Sequence, residues 1–239
     1  MSKKVTLVTG IILLVLILDQ WLKIWVKTHM TYGEDFPILG LEWAYIHFVE
    51  NNGMAFGLSL GGDSGKLALS IFRLVAVGFL IYFISRLIKE QAKTGVLVSF
   101  ALIMAGAMGN IIDSCFYGLI FSESNYHGGI AEAFPEGGGY SGFLFGKVVD
   151  MFYFPLIDTV LPSWVPFWGG ERFQFFKPVF NLADASISIG VFSLLLFQRS
   201  FFKKEPEVTT PALQESIGEE TSDIDHHEEL RNDSAEPKA

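Results

Sequence analysis

The run GVLVSFALIMAGAMGNIID, residues 95–113, decides the class of this 239-residue chain. It carries no charged side chain before Asp113, and a helix needs about 20 mostly apolar residues to cross the core of a bilayer. Small residues recur at every fourth position, at Ala101, Ala105 and Gly109, which lets a neighbouring helix approach closely. The run therefore predicts a membrane-spanning helix whose polar end, at Asp113, presses against a neighbour.

Three further runs are long and apolar enough to span a bilayer, at about 5–26, 67–88 and 180–198. A cleaved signal peptide is the alternative for the first run, but no small-x-small cleavage site follows it, so we expect an uncleaved span. In the second run Arg73 lies near one margin, where its long side chain is expected to snorkel to the headgroups. The four runs together predict an all-α membrane protein with four transmembrane helices.

The distribution of basic residues predicts the orientation, because positively charged loops stay in the cytoplasm. Lys and Arg cluster in three short segments, at 3–4, 86–93 and 199–204. They are sparse in the two long loops, at about 27–66 and 114–179. Both termini are therefore expected in the cytoplasm and both long loops outside the cell membrane.

The two outer loops carry patterns of their own. Residues 36–50 alternate well enough to predict one strand, and residues 51–53 supply turn chemistry. The second loop holds 17 of the 35 Phe, Trp and Tyr residues, and aromatic rings favour the headgroup boundary. It is expected to lie on the membrane surface, with a small aqueous subdomain as the alternative.

The whole net charge of −9 lies in residues 205–239, which have eleven Asp and Glu against two Lys and Arg. Such a segment, without aromatic residues, cannot bury enough apolar surface to offset the entropy of ordering. We therefore predict a disordered cytoplasmic tail after a membrane domain at 1–204. The neutral body excludes a basic nucleic-acid-binding surface. The single cysteine, Cys115, excludes an intramolecular disulfide framework and a cysteine-based zinc cluster.

Ionisable residues at membrane depth are costly and mark functional sites. Four aspartates qualify, all on the outer side of the predicted topology: Asp19, Asp113, Asp150 and Asp184. Three asparagines accompany them: Asn51, Asn110 and Asn181. These seven residues predict one polar site at the outer ends of the helices.

Two of these carboxyl groups, brought together in a low-dielectric site, have a definite chemistry. They cannot both stay ionised, so one keeps a proton while the other is a base. Such a pair can activate water and protonate a leaving amine, which is amide hydrolysis without metal, thiol or serine. Zinc-protease and serine-hydrolase motifs are absent from the sequence, and its histidines are scattered. The residues alone do not choose the pair among the four.

Five blocks in fixed order resemble the lipoprotein signal peptidases (signal peptidase II), the aspartic proteases of bacterial membranes. The blocks are Asp19-Gln20-x-x-Lys23, Asn51-x-Gly53-x-Ala55-Phe56, Gly109-Asn110-Ile111-Ile112-Asp113, Val148-Val149-Asp150 and Phe180-Asn181-x-Ala183-Asp184. Each block is weak alone, but the ordered set is highly specific. The resemblance covers all four predicted spans and leaves out only the tail.

The resemblance implies a catalytic dyad of Asp150 and Asp184 that works without a metal or cofactor. Seven further residues would then line or support the site: Asp19, Lys23, Asn51, Gly53, Asn110, Asp113 and Asn181. The implied activity is endopeptidase cleavage of lipid-modified prolipoproteins immediately before the diacylglyceryl-cysteine.

The resemblance also implies a location and a covering for the site. The protein would be a multi-pass protein of the bacterial cytoplasmic (inner) membrane, with its active site near the extracytoplasmic face. The first outer loop would form a small β cradle, and the second would hold a short interfacial helix over the substrate. The expected partners are prolipoprotein substrates and membrane lipids, with no nucleic acid, and the protein is expected to be a monomer.

Two departures from the family pattern bear on the site. The family commonly has an arginine after the aspartate of the third block, where this chain has Ser114. Arg172 and Lys147 are the residues expected to pair with Asp113 instead. The segment 116–145 is long and glycine-rich, and its glycines at 137–139 are expected to be flexible.

Two other classes of function stay open on sequence. One is a small proton-coupled membrane transporter that uses the same carboxylates as a relay. Relays normally need polar groups near the bilayer midplane, and the apolar middles of the predicted spans count against it. The other is a non-enzymatic scaffold whose tail recruits a cytoplasmic partner. Within a dyad, the sequence does not say which aspartate holds the proton, because a coupled pair titrates as a unit.

Overall fold

The computed structural model describes residues 2–52, 62–198 and 201, all within one compact unit, Met1–Phe201. Its four helices are α1 (Lys3–His29), α2 (Gly62–Lys89), α3 (Thr94–Ile120) and α4 (Leu182–Phe197). Its six strands are β1 (Asp35–Pro37), β2 (Tyr45–Asn51), β3 (Val148–Tyr153), β4 (Ile157–Val160), β5 (Arg172–Phe175) and β6 (Val179–Phe180). The predicted tail and Gly53 lie outside the described residues.

Three helices, α1, α2 and α3, are long and apolar enough to cross a membrane. At a rise of about 1.5 Å per residue, each is longer than the ~30 Å hydrocarbon core. The apolar helix α4 has 16 residues and is therefore about 24 Å long. The predicted span at 180–198 is thus shorter in the structure. The chain is a membrane-type helical protein with three long apolar helices and a small sheet.

Helix α3 continues to Ile120, about two turns beyond the Asp113 at which the predicted span ended. The apolar run ends at this charged residue, which predicts the end of the span there. In the structure Asp113 is fully buried and paired inside the protein, so the helix does not have to end there.

Small residues set the packing of α3, which contacts all three other helices. A Cβ on Gly109 would lie 3.0 Å from the Cβ of Ala183 in α4, and one on Gly106 would meet the backbone oxygen of the same alanine. Ala101 and Ala105 are fully buried, as the four-residue pattern predicted. The close approach brings the polar end of α3 against the start of α4.

The first and last helices begin and end on the same side of the bundle. Lys4 Nζ donates to the backbone oxygen of Ala92, between α2 and α3, over 2.9 Å. The side chain of Gln198, which caps α4, lies against Gly95 at the start of α3. The sheet and the polar residues lie at the opposite end of the helices.

A four-stranded antiparallel sheet, in the order β1-β2-β3-β6, closes that opposite end. The prediction of a single strand over 36–50 is wrong, because a 3-10 turn at Ile38–Gly40 folds β1 back onto β2. Leu39 and Gly40 there have positive φ angles of 53° and 78°. The alternation of apolar and polar residues does not reveal a turn of this kind, because it continues with a period of two on both sides of the turn.

The second outer loop supplies β3 and β6 to the sheet and forms a separate β4–β5 hairpin between them. Residues 121–181 contain no helix, so the expected short interfacial helix in this loop is wrong. The β-branched and aromatic residues of β4 and β5 favour strands. Pro162 and Pro166 also interrupt helical hydrogen bonding in the connection between them.

The segment after α3 folds back onto the end of that helix. A Cβ on Gly139 would overlap the backbone of Gly118 and Leu119. The backbone N–H of Tyr140 donates to Phe121 O over 3.0 Å. Gly139, expected to be flexible, therefore serves a close backbone contact that any side chain would prevent.

Candidate active site

The pairing of β2 with β3 fixes the position of Asp150. Val49 lies opposite Asp150, and Asn51 lies two residues farther along β2. Alternate residues of a strand share a face, so Asn51 and Asp150 point to the same side of the sheet. Asn51 Nδ2 donates to Asp150 Oδ2. Asp150 is only 4% exposed, which makes it a buried carboxyl group held by an amide.

Asn181 connects the sheet to α4 and contacts both aspartates. It follows β6, which pairs with β3, and it is the N-cap of α4. Its Nδ2 donates to Asp150 Oδ1 over 2.8 Å, and its Oδ1 accepts from the backbone N–H of Asp184 over 2.9 Å. The Asp184 carboxylate accepts in turn from the backbone N–H of Asn181, which completes a capping box. The local signal that starts the helix therefore also brings the two aspartates together.

Lys23 supplies a fully buried cation between α1 and α3. Its ammonium lies 2.9 Å from each of three oxygens: Asp19 Oδ2, Asp113 Oδ2 and Asn110 Oδ1. These three contacts use all three of its donors. The ammonium group of Lys23 thus offsets the negative charges of Asp19 and Asp113 within the predicted polar site.

Asn110 carries this network on to Asp184. Its Nδ2 donates to Asp184 Oδ1 over 2.7 Å. Its Oδ1 accepts from Lys23 and also from Asn181 Nδ2, the latter over 3.1 Å. The orientation of this amide follows from its partners, because Lys23 can only donate. Asn110 therefore presents a donor to the half-buried Asp184.

Asp19 ties α1 to the first turn of α4. Its Oδ1 accepts from the backbone N–H of Ala183 over 2.9 Å, a group that has no partner within its own helix. Gly109 leaves space for this contact, because a Cβ there would lie 2.7 Å from Asp19 Oδ2. Asp19 thus holds the start of α4 in place from a helix far away in sequence.

Two residues of the network were missing from the predicted site. Gln20 Nε2 donates to Asp113 Oδ1 over 2.9 Å, and its Oε1 accepts from Tyr117 over 3.1 Å. The sequence offered a reason to include Gln20, because it is a polar residue inside an apolar run and belongs to the first of the five ordered blocks. Tyr117 had none, since a tyrosine near a predicted membrane boundary is ordinary.

The groups that hold Asp113 differ from those expected. They are Lys23, Gln20 and the backbone N–H of Val149, the last at 3.3 Å. Lys147 instead pairs with Glu123, and Arg172 lies exposed in the separate β4–β5 hairpin. The expectation that either residue replaces the family arginine at Ser114 is therefore wrong.

Eight of the nine predicted site residues meet at one end of the bundle, and Gly53 lies outside the described residues. The eight are Asp19, Lys23, Asn51, Asn110, Asp113, Asp150, Asn181 and Asp184. They come from three helices, two strands and the N-cap position of α4, so only the folded chain assembles them. Their catalytic and supporting roles remain predictions.

Two effects raise the pKa of Asp150 from 3.8 to about 7. Burial is the larger effect, and the negative charge of Asp184 is the second. Hydrogen bonds from Asn51 and Asn181 act in the opposite direction, because they favour the ionised carboxylate. A large fraction of Asp150 therefore carries a proton at neutral pH. The arrangement is a pair of neighbouring carboxyl groups, of which Asp150 is buried and Asp184 is half-buried.

This pair can perform proton transfers at a single reacting centre. An ionised carboxylate can accept a proton from water, and a protonated neighbour can donate one to a leaving group. Among the described residues, no group of three or more His, Cys, Asp or Glu is arranged to hold a metal ion.

Comparison with known proteins gives a consistent family. The family model described as signal peptidase (SPase) II matches residues 11–201. The lipoprotein signal peptidase of Porphyromonas gingivalis is 56% identical over 190 residues, which cover 79% of this chain and 81% of that protein. The lipoprotein signal peptidase of Amoebophilus asiaticus is 36% identical over 236 residues, 95% of this chain and 94% of that protein.

A solved structure has a similar fold. It is described as a bacterial membrane enzyme determined by the in meso method at 2.3 Å resolution. It superimposes with a TM-score of 0.52 at 26% sequence identity, covering 84% of this chain and 94% of that one.

Proposed function

The chain belongs to the signal peptidase II family of aspartic peptidases, and from that premise we propose that it removes signal peptides from lipid-modified prolipoproteins. The proposed bond is the one immediately before the diacylglyceryl-cysteine, and the proposed catalytic residues are Asp150 and Asp184. The same relatives give no support to a proton-coupled transporter.

The observation that carries the proposal is the asparagine that joins the two aspartates. Asn181 donates to Asp150 and caps the helix that carries Asp184 in its first turn. Two carboxyl groups held this close, with the pKa of one raised to about 7, share a proton at neutral pH. That is the state an aspartic peptidase needs before it binds water and substrate.

In the proposed mechanism the two carboxyl groups have different tasks. Burial favours the proton on Asp150, so its OH polarises the scissile carbonyl and gives its proton to the carbonyl oxygen as the tetrahedral intermediate forms. Asp184, half-buried and accepting a hydrogen bond from Asn110, takes a proton from water as that water attacks the carbonyl carbon. The tetrahedral intermediate collapses when the amine receives a proton from Asp184, and the carbonyl oxygen returns its proton to Asp150.

Asparagine substitutions test this mechanism, because they keep the shape of each side chain and remove the acid–base function. We expect Asp150→Asn and Asp184→Asn to insert and fold in the membrane but to leave a lipidated precursor uncleaved in detergent. The matched control is Asp35→Asn on the exposed strand β1, which should cleave at the wild-type rate. Full activity of either dyad variant would remove that residue from the mechanism.

We further propose that α4 is a fourth span, that both termini are cytoplasmic and that the site faces the outside of the inner membrane. The common end of α1 and α4 and the basic residues near it support this orientation. An impermeant thiol reagent should label a cysteine placed at His127 from the outside and one placed at Gln91 only from the inside. The reverse labelling would contradict the orientation.

A further inference from the structure

Arg73 is a cation on one of the long apolar helices, and its side chain does not point out to lipid. It is half-buried, and its Nη1 lies 3.5 Å from Ser114 Oγ on α3. It interacts electrostatically with Asp184, Asp113 and Asp150. The snorkelling expected from its position near the margin of the run is therefore wrong. Burying a charged side chain costs desolvation free energy, and neighbouring opposite charges offset that cost.

Lys23 alone does not neutralise the four carboxyl groups of the site. Lys23 uses its three donors on Asp19, Asp113 and Asn110 and reaches Asp184 only through the amide of Asn110. Arg73 approaches from α2, a helix that contributes none of the eight assembled site residues. It adds a second positive charge to a group of four carboxyl groups, and two cations leave that group much closer to neutral.

The neighbouring contacts hold Arg73 in this position. Ser70, three residues earlier and on the same helix face, is buried and donates to Leu144 O over 3.0 Å. Ser114 Oγ donates to Asn110 O over 3.1 Å, so it has a lone pair to offer the guanidinium. A short side chain at Ser114 also leaves room that an arginine there would occupy.

We propose that Arg73 is a positioning residue that supplies, from α2, the guanidinium that the family commonly carries at the position of Ser114. Its charge orients the polar end of α3 and favours the ionised form of the dyad's base. The site then depends on α2 as well as on the three helices that carry the assembled residues. This inference rests on the proposed peptidase function.

Relocation of the guanidinium is the decisive experiment. Cleavage of a lipidated precursor in detergent is measured for Arg73→Ala, for Ser114→Arg added to it, and for the control Arg86→Ala. Arg86 lies in the same helix, exposed and paired with Glu90. We expect Arg73→Ala to lower kcat/KM by about tenfold or more, mainly in kcat, and the double variant to regain most of it. Arg86→Ala should match wild type.

The pH profile separates positioning from simple loss of structure. A nearby positive charge favours ionised carboxylates, so its removal should move the acid limb of kcat to higher pH by on the order of one unit. Ser114→Arg in the same background should move the limb back. If Arg73→Ala does not accumulate, Arg73→Lys replaces it. Lysine keeps the charge without the planar fork, so it should lower kcat and leave the limb in place.

The outcomes distinguish this inference from the function on which it rests. An inactive Asp150→Asn together with a fully active Arg73→Ala, or a fully active Arg73→Lys, overturns the role of Arg73 and keeps the peptidase. Lost activity that Ser114→Arg does not restore, with an unmoved acid limb, also overturns it, because a packing defect has that signature. An active Asp150→Asn overturns the function itself.

Discussion

Replacement of Lys23 by methionine is the most informative perturbation of the buried network. Methionine keeps the unbranched stem and removes the ammonium, which lies 2.9 Å from each of its three partners. Asp19 and Asp113, which are 1% and 0% exposed, then face each other without the cation. Removing one partner of a buried ion pair costs about 3–5 kcal/mol, because the remaining charge is left uncompensated.

The loss is measured as the midpoint of thermal unfolding in detergent. For a chain of this size about 1 kcal/mol corresponds to roughly 2–4 °C, so Lys23→Met should lower the midpoint by roughly 6–20 °C. Lys147→Met is the matched control. Lys147 pairs with Glu123 near the surface, with side chains 27% and 58% exposed, and an exposed pair contributes about 0–1 kcal/mol.

A second substitution tests the cause of the loss. Asp113→Asn in the Lys23→Met background removes one of the two uncompensated charges and should recover part of the midpoint. In the wild-type background the same change should lower it, since it breaks the ion pair. A Lys23→Met midpoint within about 2 °C of wild type, or no recovery in the double variant, would refute the assignment of Lys23 as the balancing cation.

Three further outcomes follow from other contacts. Gly109→Ala should cost about 1–3 kcal/mol of unfolding free energy, because its Cβ would crowd α1 and α4. The control Gly78→Ala, with open space around its Cβ, should be neutral. Equal thermal unfolding midpoints for the two variants would contradict this. Burial raises the pKa of Asp150 from 3.8 to about 7, so the folded protein holds this proton more tightly and loses stability as pH rises through that window. Asp150→Asn should therefore raise the unfolding midpoint at about pH 8 but not at about pH 4, and a pH-independent difference would argue against it. Glu50→Gln leaves the buried ammonium of Lys27 without its anion and should lower the midpoint as far as a buried-pair loss of about 3 kcal/mol does, which thermal unfolding again measures.

The helices were predictable because a bilayer demands long apolar runs. Helices α1, α2 and α3 fall on three of the four runs, and their ends differ by a few residues. The end of α3 was missed because Asp113 is a charge that the fold neutralises internally, and hydropathy cannot distinguish a paired charge from an exposed one. The hairpin of β1 and β2 was missed because the turn at Ile38–Gly40 depends on backbone angles, not on alternation.

The residues of the site were predictable from ordered motifs, but the contacts between them were not. Spacing placed Asn181 and Asp184 on one helix face, and the structure shows a capping box between them. Sequence could not reveal that Arg73 turns inward, since its neighbour at Ser114 is 41 positions away. Contacts across helices depend on rotation about each helix axis, which a four-residue period of small side chains only partly constrains.

The capping role of Asn181 has a consequence for biosynthesis. The chain leaves the ribosome with α1, α2 and α3 first, and Lys23 can already neutralise Asp19 and Asp113 at that stage. The contacts of Asn181 with Asp150 and Asp184, and the contact of Asp19 with Ala183, must wait until the last helix has been made. A chain truncated before α4 thus has the neutralising core but lacks Asp184, one of the two proposed catalytic acids. Under the proposed mechanism, proteolytic capacity therefore arises only after α4 has been translated.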